Sequence, residues 1–237
     1  MEAVRSLLLV IATLLGALGI ALGNITPAYA VTCGDILGPG GRFLMDHDLD
    51  CGSNWLTVLD GAILNLNGHT VMCSFGPCIV LTGEGAQLLN GEVRGGLHEP
   101  IVLEGIGGHT VRNVTSTLVD ANIIVWSDNN RLINVTAESA YNPAFIIRGN
   151  NNRLRSSFAI CPDGTTCIDV SGDKNDLVDN VVSTGEFGGS GTSGIRVSGN
   201  NNKLRDNQIT TNNTSFGIYV SGSGNDLRRF PEKKLPF

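Results

Sequence analysis

The stretch IRVSGNNNKL, residues 195–204, recurs along the chain with its rhythm intact: FIIRGNNNRL at 145–154, IDVSGDKNDL at 168–177 and IYVSGSGNDL at 218–227. Looser copies lie upstream, IVLTGEGAQL at 79–88, IVLEGIGGHTV at 101–111 and IVWSDNNRL at 124–132 with Ile123 before it. The first apolar position is then Ile79, Ile101, Ile123, Phe145, Ile168, Ile195 and Ile218, in steps of 22, 22, 22, 23, 27 and 23. Alternation of period two, rich in Ile and Val, marks short strands with one buried face. The Gly, Asn, Asp and Ser that follow each strand supply left-handed and Asx-turn conformations for tight bends. A unit this short cannot bury its apolar face alone and has to stack on its neighbours. The expected fold is all-β, a right-handed parallel β-helix (solenoid) of about seven coils with an N-terminal cap.

Two more columns keep the same register. Leu88, Val111, Leu132, Leu154, Leu177, Leu204 and Leu227 recur once per repeat. A polar column follows, Asn67, Asn90, Asn113, Asn134, Ser157, Asn180 and Asn207, with a short step of 21 at Asn134 where the alignment is open to a one-residue slip. Stacking places equivalent residues ~4.8 Å apart, close enough for Asn side chains turned inward to pass hydrogen bonds from coil to coil. The cap is expected over 31–60, the repeats over 61–227, and an irregular tail over 228–237. That tail, RRFPEKKLPF, puts Phe230 where the ladder expects Asn and makes a poor cap. The expectation is a truncated chain, or one that self-associates or meets a partner through an open C-terminal coil.

The first thirty residues read as a secretory signal peptide: Arg5, an apolar run from Leu7 to Leu22, and the A-x-A triplet Ala28-Tyr29-Ala30. The apolar run is short of the ~20 residues of a spanning helix. The expected mature protein is secreted, extracellular or at the cell surface, with no membrane span left after removal. Its formal charge stays at −6, because Glu2 and Arg5 cancel, and an acidic balance argues against a nucleic-acid partner. All six cysteines lie beyond the signal, and an even count after an export signal favours disulfides. Proximity favours Cys33–Cys51, Cys73–Cys78 and Cys161–Cys167, though six cysteines allow about fifteen pairings. No CxxC pair is present and the four histidines are scattered, so zinc is not expected.

The stretch CGDILGPGGRFLMDHDLDC (33–51), followed by LTVLDGAILNLNGHTVMC (56–73), resembles the opening of pectate-lyase-like right-handed β-helix proteins. In those a cysteine-flanked cap leads into a phrase like LDLNGHTI and then into repeats of this kind. The resemblance spans roughly residues 31–227 and implies architecture; the superfamily holds lyases, hydrolases, epimerases, binding proteins and surface proteins, so function has to come from a site. The family's enzymes work on an outward face of the stacked strands.

One outward column is Val80, Val102, Ile124, Ile146, Asp169, Arg196 and Tyr219, and two residues on runs Thr82, Glu104, Trp126, Arg148, Ser171, Ser198 and Ser221. Together they place Trp126, Arg148, Asp169, Arg196 and Tyr219 on one face, aromatic platforms beside charged hydrogen-bonding groups, as a sugar polymer requires. The plainer reading is a surface Asp169–Arg196 ion pair of little energetic weight. A second face, Arg112, Arg131, Arg153, Arg155, Lys203, Arg205 and Arg228, is either a binding stripe for an acidic glycan or a solvated face that discourages strand edges from pairing.

The expected function is polysaccharide binding. A lyase or C5-epimerase on a uronic-acid polymer is the catalytic alternative, with Asp169, Arg148 and Arg196 as candidates for base and enolate-stabilising cations. A structural or adhesive surface protein is the third. No cofactor is expected; Ca²⁺ belongs only to the lyase reading, and the acidic cluster it needs on a neighbouring coil is missing. The run MDHDLD (45–50), with Asp46, His47, Asp48 and Asp50, reads more simply as a solvated turn than as a metal site, and His69 and His109 as packed or turn residues. Sequons at Asn113 and Asn134 fall in the expected inward ladder, which makes Asn212 and Asn213 the better glycosylation candidates. The insertion STGEFGGSGTSG (183–194) is an extra loop where function can concentrate, with Glu186 and Phe187 its notable residues.

Overall fold

Each repeat divides into short strands, many of three residues with period-two burial, because Ile, Val and Leu alternate with more exposed positions between bends. In a computed structural model, which describes residues 30–95, 99–118, 123–161, 165–185, 192–211 and 216–230, these strands stack as a parallel β-solenoid. The stretch expected as a signal peptide, up to Tyr29, lies outside the described residues, as do Glu186 and Phe187, the sequons Asn212 and Asn213, and residues 231–237.

Sheet 1 holds nine parallel strands: Ile36–Leu37, Leu56–Val58, Ile79–Leu81, Ile101–Leu103, Ile123–Val125, Phe145–Ile147, Ile168–Val170, Ser193–Val197 and Phe216–Val220. Its register runs Ile79, Ile101, Ile123, Phe145, Ile168, Ile195, Ile218, which is the column expected from the repeat. Two further strands, at Ile36 and Leu56, fall inside the stretch expected as a cap. Sheet 2, of fourteen strands, starts with Arg42–Leu44, Ile63–Asn65 and Gln87–Arg94 and continues through Thr110–Leu118 and Arg131–Ser139. Leu88, Val111, Leu132, Leu154, Leu177, Leu204 and Leu227 align in it as expected. The core is the continuous column of these side chains. From Leu56 to Leu204 nearly all are fully buried, each contributing roughly 1.5–3 kcal/mol.

Sheet 2 is creased lengthwise by residues in the left-handed conformation: Asn67, Asn90, Asn113, Asn134, Ser156, Asp179 and Asp206, with φ between 50° and 57°. This corrects the expected polar column. Asn134 stacks on Ser156, and the residues after the crease form a separate inward column, Val114, Val135, Ser157, Asn180 and Asn207. The expected ladder therefore joins two columns: its first four members are creases and only its last three point inward.

Ser157, Asn180 and Asn207 are hydrogen-bonded from coil to coil as expected, and a longer inward amide ladder lies at the other bend. In GNNNRL the three asparagines do three jobs: Asn150 Oδ1 accepts from Asp173 N–H, Asn151 takes the left-handed φ of 55°, and Asn152 turns inward. Asn130, Asn152, Asn175, Asn202 and Asn225 follow one another, each side-chain Oδ1 from Asn152 onward accepting the backbone N–H of the residue one coil before at 2.7–2.8 Å. A buried backbone donor left without a partner costs about 1–3 kcal/mol, so the ladder supports every coil it passes through. Glycines at 149, 172, 199 and 222 permit the close stacking of this bend; a Cβ on Gly172 would collide with the Gly149 carbonyl oxygen.

Three disulfides close the short loops, Cys33–Cys51, Cys73–Cys78 and Cys161–Cys167, with Cα–Cα separations of 5.1, 5.5 and 5.6 Å. The first, spanning 18 residues, constrains the unfolded chain by about 3 kcal/mol in the loop-entropy model.

Candidate functional site

Because side chains alternate across a strand, the residues between the buried pairs of sheet 1 emerge on its outer face. The register places Val80, Val102, Ile124, Ile146, Asp169, Arg196 and Tyr219 in one file along the axis. Glu104, Trp126, Arg148 and Ser171 follow their strands at one equivalent position, each backbone N–H donating to a carbonyl one coil earlier. All five expected binding residues share this face.

They form two groups. In the first, the Arg148 guanidinium lies over the Trp126 ring, 4.3 Å from its centroid, and Trp126 keeps 48% of its surface exposed. In the second, Arg196 donates from Nε and Nη2 to both carboxylate oxygens of Asp169 at 2.9 and 2.7 Å. The Asp169 hydrogen bonds and charge raise the Arg196 pKa above its ordinary value, so the fork stays charged. Tyr219 stands beside Arg196 in register and is 48% exposed, with the Phe216 ring centroid 6.3 Å away. Ile124, in the same outward file, is buried, so the face is apolar at its middle and polar toward Tyr219.

Sequence reasoning missed Phe216, the first residue of its strand and outside the repeated phrase, and Trp55, which sits in the stretch expected as a cap. Trp55 is 46% exposed and lines a hollow of about 300 Å³ with Gly34, Ile36, Asn54 and Thr57 at the other end of the face. The signal that marks Trp55 is its place one residue before the strand Leu56–Val58, whose register becomes visible once the cap is aligned with the repeats.

The face offers exposed rings, hydrogen-bond donors and one paired carboxylate. Asp169 spends both oxygens on Arg196, so a base role first requires breaking a bidentate pair. Glu104, the other carboxylate of the two files, lies three coils away, about 14 Å at ~4.8 Å per step. That exceeds the roughly 6.5–9.5 Å between the carboxyls of an inverting glycosidase. A Ca²⁺ site does not fit either: hard cations take several oxygen ligands, and Asp169 is a single carboxylate already paired. Among the described residues no group of three His, Cys, Asp or Glu side chains is arranged to hold a metal.

The remaining candidates are dispersed. Asp46 hydrogen-bonds His47 at 2.5 Å, while Asp48 accepts from the Thr70 N–H at 2.8 Å and approaches His69 at 3.3 Å. Both carboxyl pKa values are lowered, Asp46 chiefly by the His47 hydrogen bond and Asp48 chiefly by the Thr70 backbone. His109 is fully buried: its Nε2 meets the Glu104 carbonyl at 2.8 Å, its Nδ1 accepts from Ala86 N–H, and its own N–H donates to Asn130 Oδ1. Burial pushes its pKa down.

The sequon asparagines require correction. Asn113 and Asn134 are creases with exposed side chains, linked Asn134 Nδ2 to Asn113 Oδ1 at 2.9 Å, and not members of an inward ladder. The chain matches no family model, no curated protein and no solved structure.

Proposed function

We propose that the protein binds an extracellular or cell-wall polysaccharide along the outer face of sheet 1, and that its solenoid is of the pectate-lyase-like kind that the opening phrases at 33–51 and 56–73 resemble. The observation that carries the reading is the Trp126–Arg148 stack set in line with the Asp169–Arg196 fork and Tyr219. An exposed ring takes the C–H face of a sugar, and a guanidinium–carboxylate pair offers both donors and acceptors to its hydroxyls. The stacked array of coils suits a linear chain. Three disulfides fit an oxidising, extracellular setting. Binding is favoured over lyase or epimerase chemistry because Asp169 is occupied by Arg196.

The test is a glycan array with the disulfide-bonded mature domain, run beside an assay for unsaturated uronate on pectin and alginate. Retention on a polysaccharide without release of unsaturated product is the expected result. Product formation on either polymer would replace binding with catalysis as the function.

A further inference from the structure

The basic stripe on the outer face of sheet 2 divides into two halves of different character. In its lower half Arg153 and Arg205 approach Asp176 at 3.7 and 3.0 Å, Arg155 lies 3.7 Å from Asp179, and Arg228 lies 2.8 Å from Asp226. Those cations are matched by acids that the repeat brings in at alternate coils. The upper half differs. Arg112 and Arg131 are exposed on successive coils, and the first coil adds Arg42, which sequence reasoning left inside the cap. Among the described residues none of the three makes an ion pair or a side-chain hydrogen bond.

Between Arg42 and Arg112 the face sinks into a hollow of about 470 Å³. Leu44, Ile63 and Leu89 supply its apolar surface, and Asn65 and Gln87 its amides. Asn65 Oδ1 accepts from Asn67 N–H and Asn90 Nδ2, which leaves its own Nδ2 to donate, while Gln87 has no side-chain partner among the described residues. Three uncompensated guanidiniums on a chain of formal charge −6 form a local field opposite to the whole. Arg42 and Arg112 are three coils apart, about 14 Å at ~4.8 Å per step.

We propose that this strip is a second binding site, taking an anionic oligosaccharide whose carboxylates or sulfates pair with Arg42, Arg112 and Arg131 while its rings lie on the Leu44–Ile63–Leu89 surface. The spacing calls for a chain of several sugars, since one residue cannot reach both ends. Planar guanidinium forks match carboxylate and sulfate oxygens two at a time. Free amides between them suit hydroxyls, whereas an anionic membrane would ask for apolar groups that protrude. The site uses a different face from the one proposed above and stands or falls separately.

Isothermal titration of the disulfide-bonded protein with hexagalacturonate, a heparin hexasaccharide, neutral cellohexaose and phosphatidylserine vesicles tests it. Binding of at least one anionic hexasaccharide, weakened by added NaCl, is expected, and the two hexasaccharides distinguish carboxylate from sulfate recognition. Arg42→Gln with Arg112→Gln should weaken it about tenfold, while Lys203→Gln with Arg228→Gln stays within about twofold of wild type. All four positions are surface charges, and unchanged circular dichroism serves as the check on folding. The proposal is overturned if neither hexasaccharide binds, if cellohexaose binds equally, if the Arg42/Arg112 double variant binds as wild type, or if vesicles are the tighter ligand. Loss of anionic binding through Trp126→Ala alone would also overturn it and assign the polymer to sheet 1.

Discussion

Arg148 rests on Trp126 of the preceding coil, with the guanidinium carbon 4.3 Å from the ring centroid, and so presents a cation–aromatic step on an otherwise apolar stretch of sheet 1. At an exposed site such a contact contributes about 0.5–1 kcal/mol, so its removal tests the site without endangering the fold. Arg148→Ala should change the unfolding free energy in urea by no more than about 1 kcal/mol while shifting the emission of the folded protein, because Trp126 loses its cover. Unchanged fluorescence would show that the stack is not populated in solution.

The Asp169–Arg196 pair gives a second expectation. Asp169 has 18% of its side chain exposed and Arg196 has 50%, so solvent screens the pair and its contribution to stability stays at or below about 1 kcal/mol. Asp169→Asn should therefore leave the thermal midpoint nearly unchanged, yet shift affinity for the polysaccharide that the glycan array selects, because Arg196 is freed. A large fall in the midpoint would instead assign the pair a structural role.

His109 sets a pH dependence. Burial lowers its pKa below the usual 6.5, and the neutral ring accepts the Ala86 N–H at Nδ1. The unfolded imidazole takes up a proton as pH falls through about 6.5, whereas the folded one does so only at lower pH. Between those two values the unfolded state binds more protons, so stability declines as pH falls and is unaffected by this group well above 6.5. Urea midpoints measured from pH 8 to pH 5 should show that decline, and His109→Gln, which can keep both an acceptor and a donor, should flatten it.

The two kinds of asparagine separate by energy. Asn175 is fully buried and its Oδ1 takes the Asn152 N–H, so Asn175→Ala strands a buried donor and should cost about 1–3 kcal/mol. Asn134 is exposed, so Asn134→Ala gives up a surface hydrogen bond and some ease in the left-handed region, for roughly 1 kcal/mol. Equal losses in paired denaturation curves would contradict the assignment of columns.

Sheet 1 was legible in the sequence because a buried Ile–x–Val pair admits only one register: a slip by one residue would turn every apolar side chain outward. The same logic located the shared face of Trp126, Arg148, Asp169, Arg196 and Tyr219. The bends were harder to place. An NNN run offers three equivalent residues, and only the backbone decides which of Asn150, Asn151 and Asn152 turns inward. The crease column was misread because it passes from Asn134 to Ser156, next to a Ser157 that looked equally suitable. Arg42 escaped because its coil carries Gly and Asp in place of the Ile–x–Val signal, and Trp55 because its Leu56–x–Val58 strand fell inside the stretch expected as a cap, although the strands at Ile36 and Leu56 stack in register with the rest.

The most direct test of polysaccharide recognition on sheet 1 is the affinity of the Trp126→Ala/Tyr219→Ala variant for the polysaccharide that the glycan array selects, measured by titration beside the wild type. Both rings are about half exposed, so their loss should leave the unfolding midpoint close to that of the wild type. Loss of two stacking platforms should weaken binding at least about tenfold, each being worth ~1 kcal/mol or more. Equal affinities for the two proteins would contradict the account.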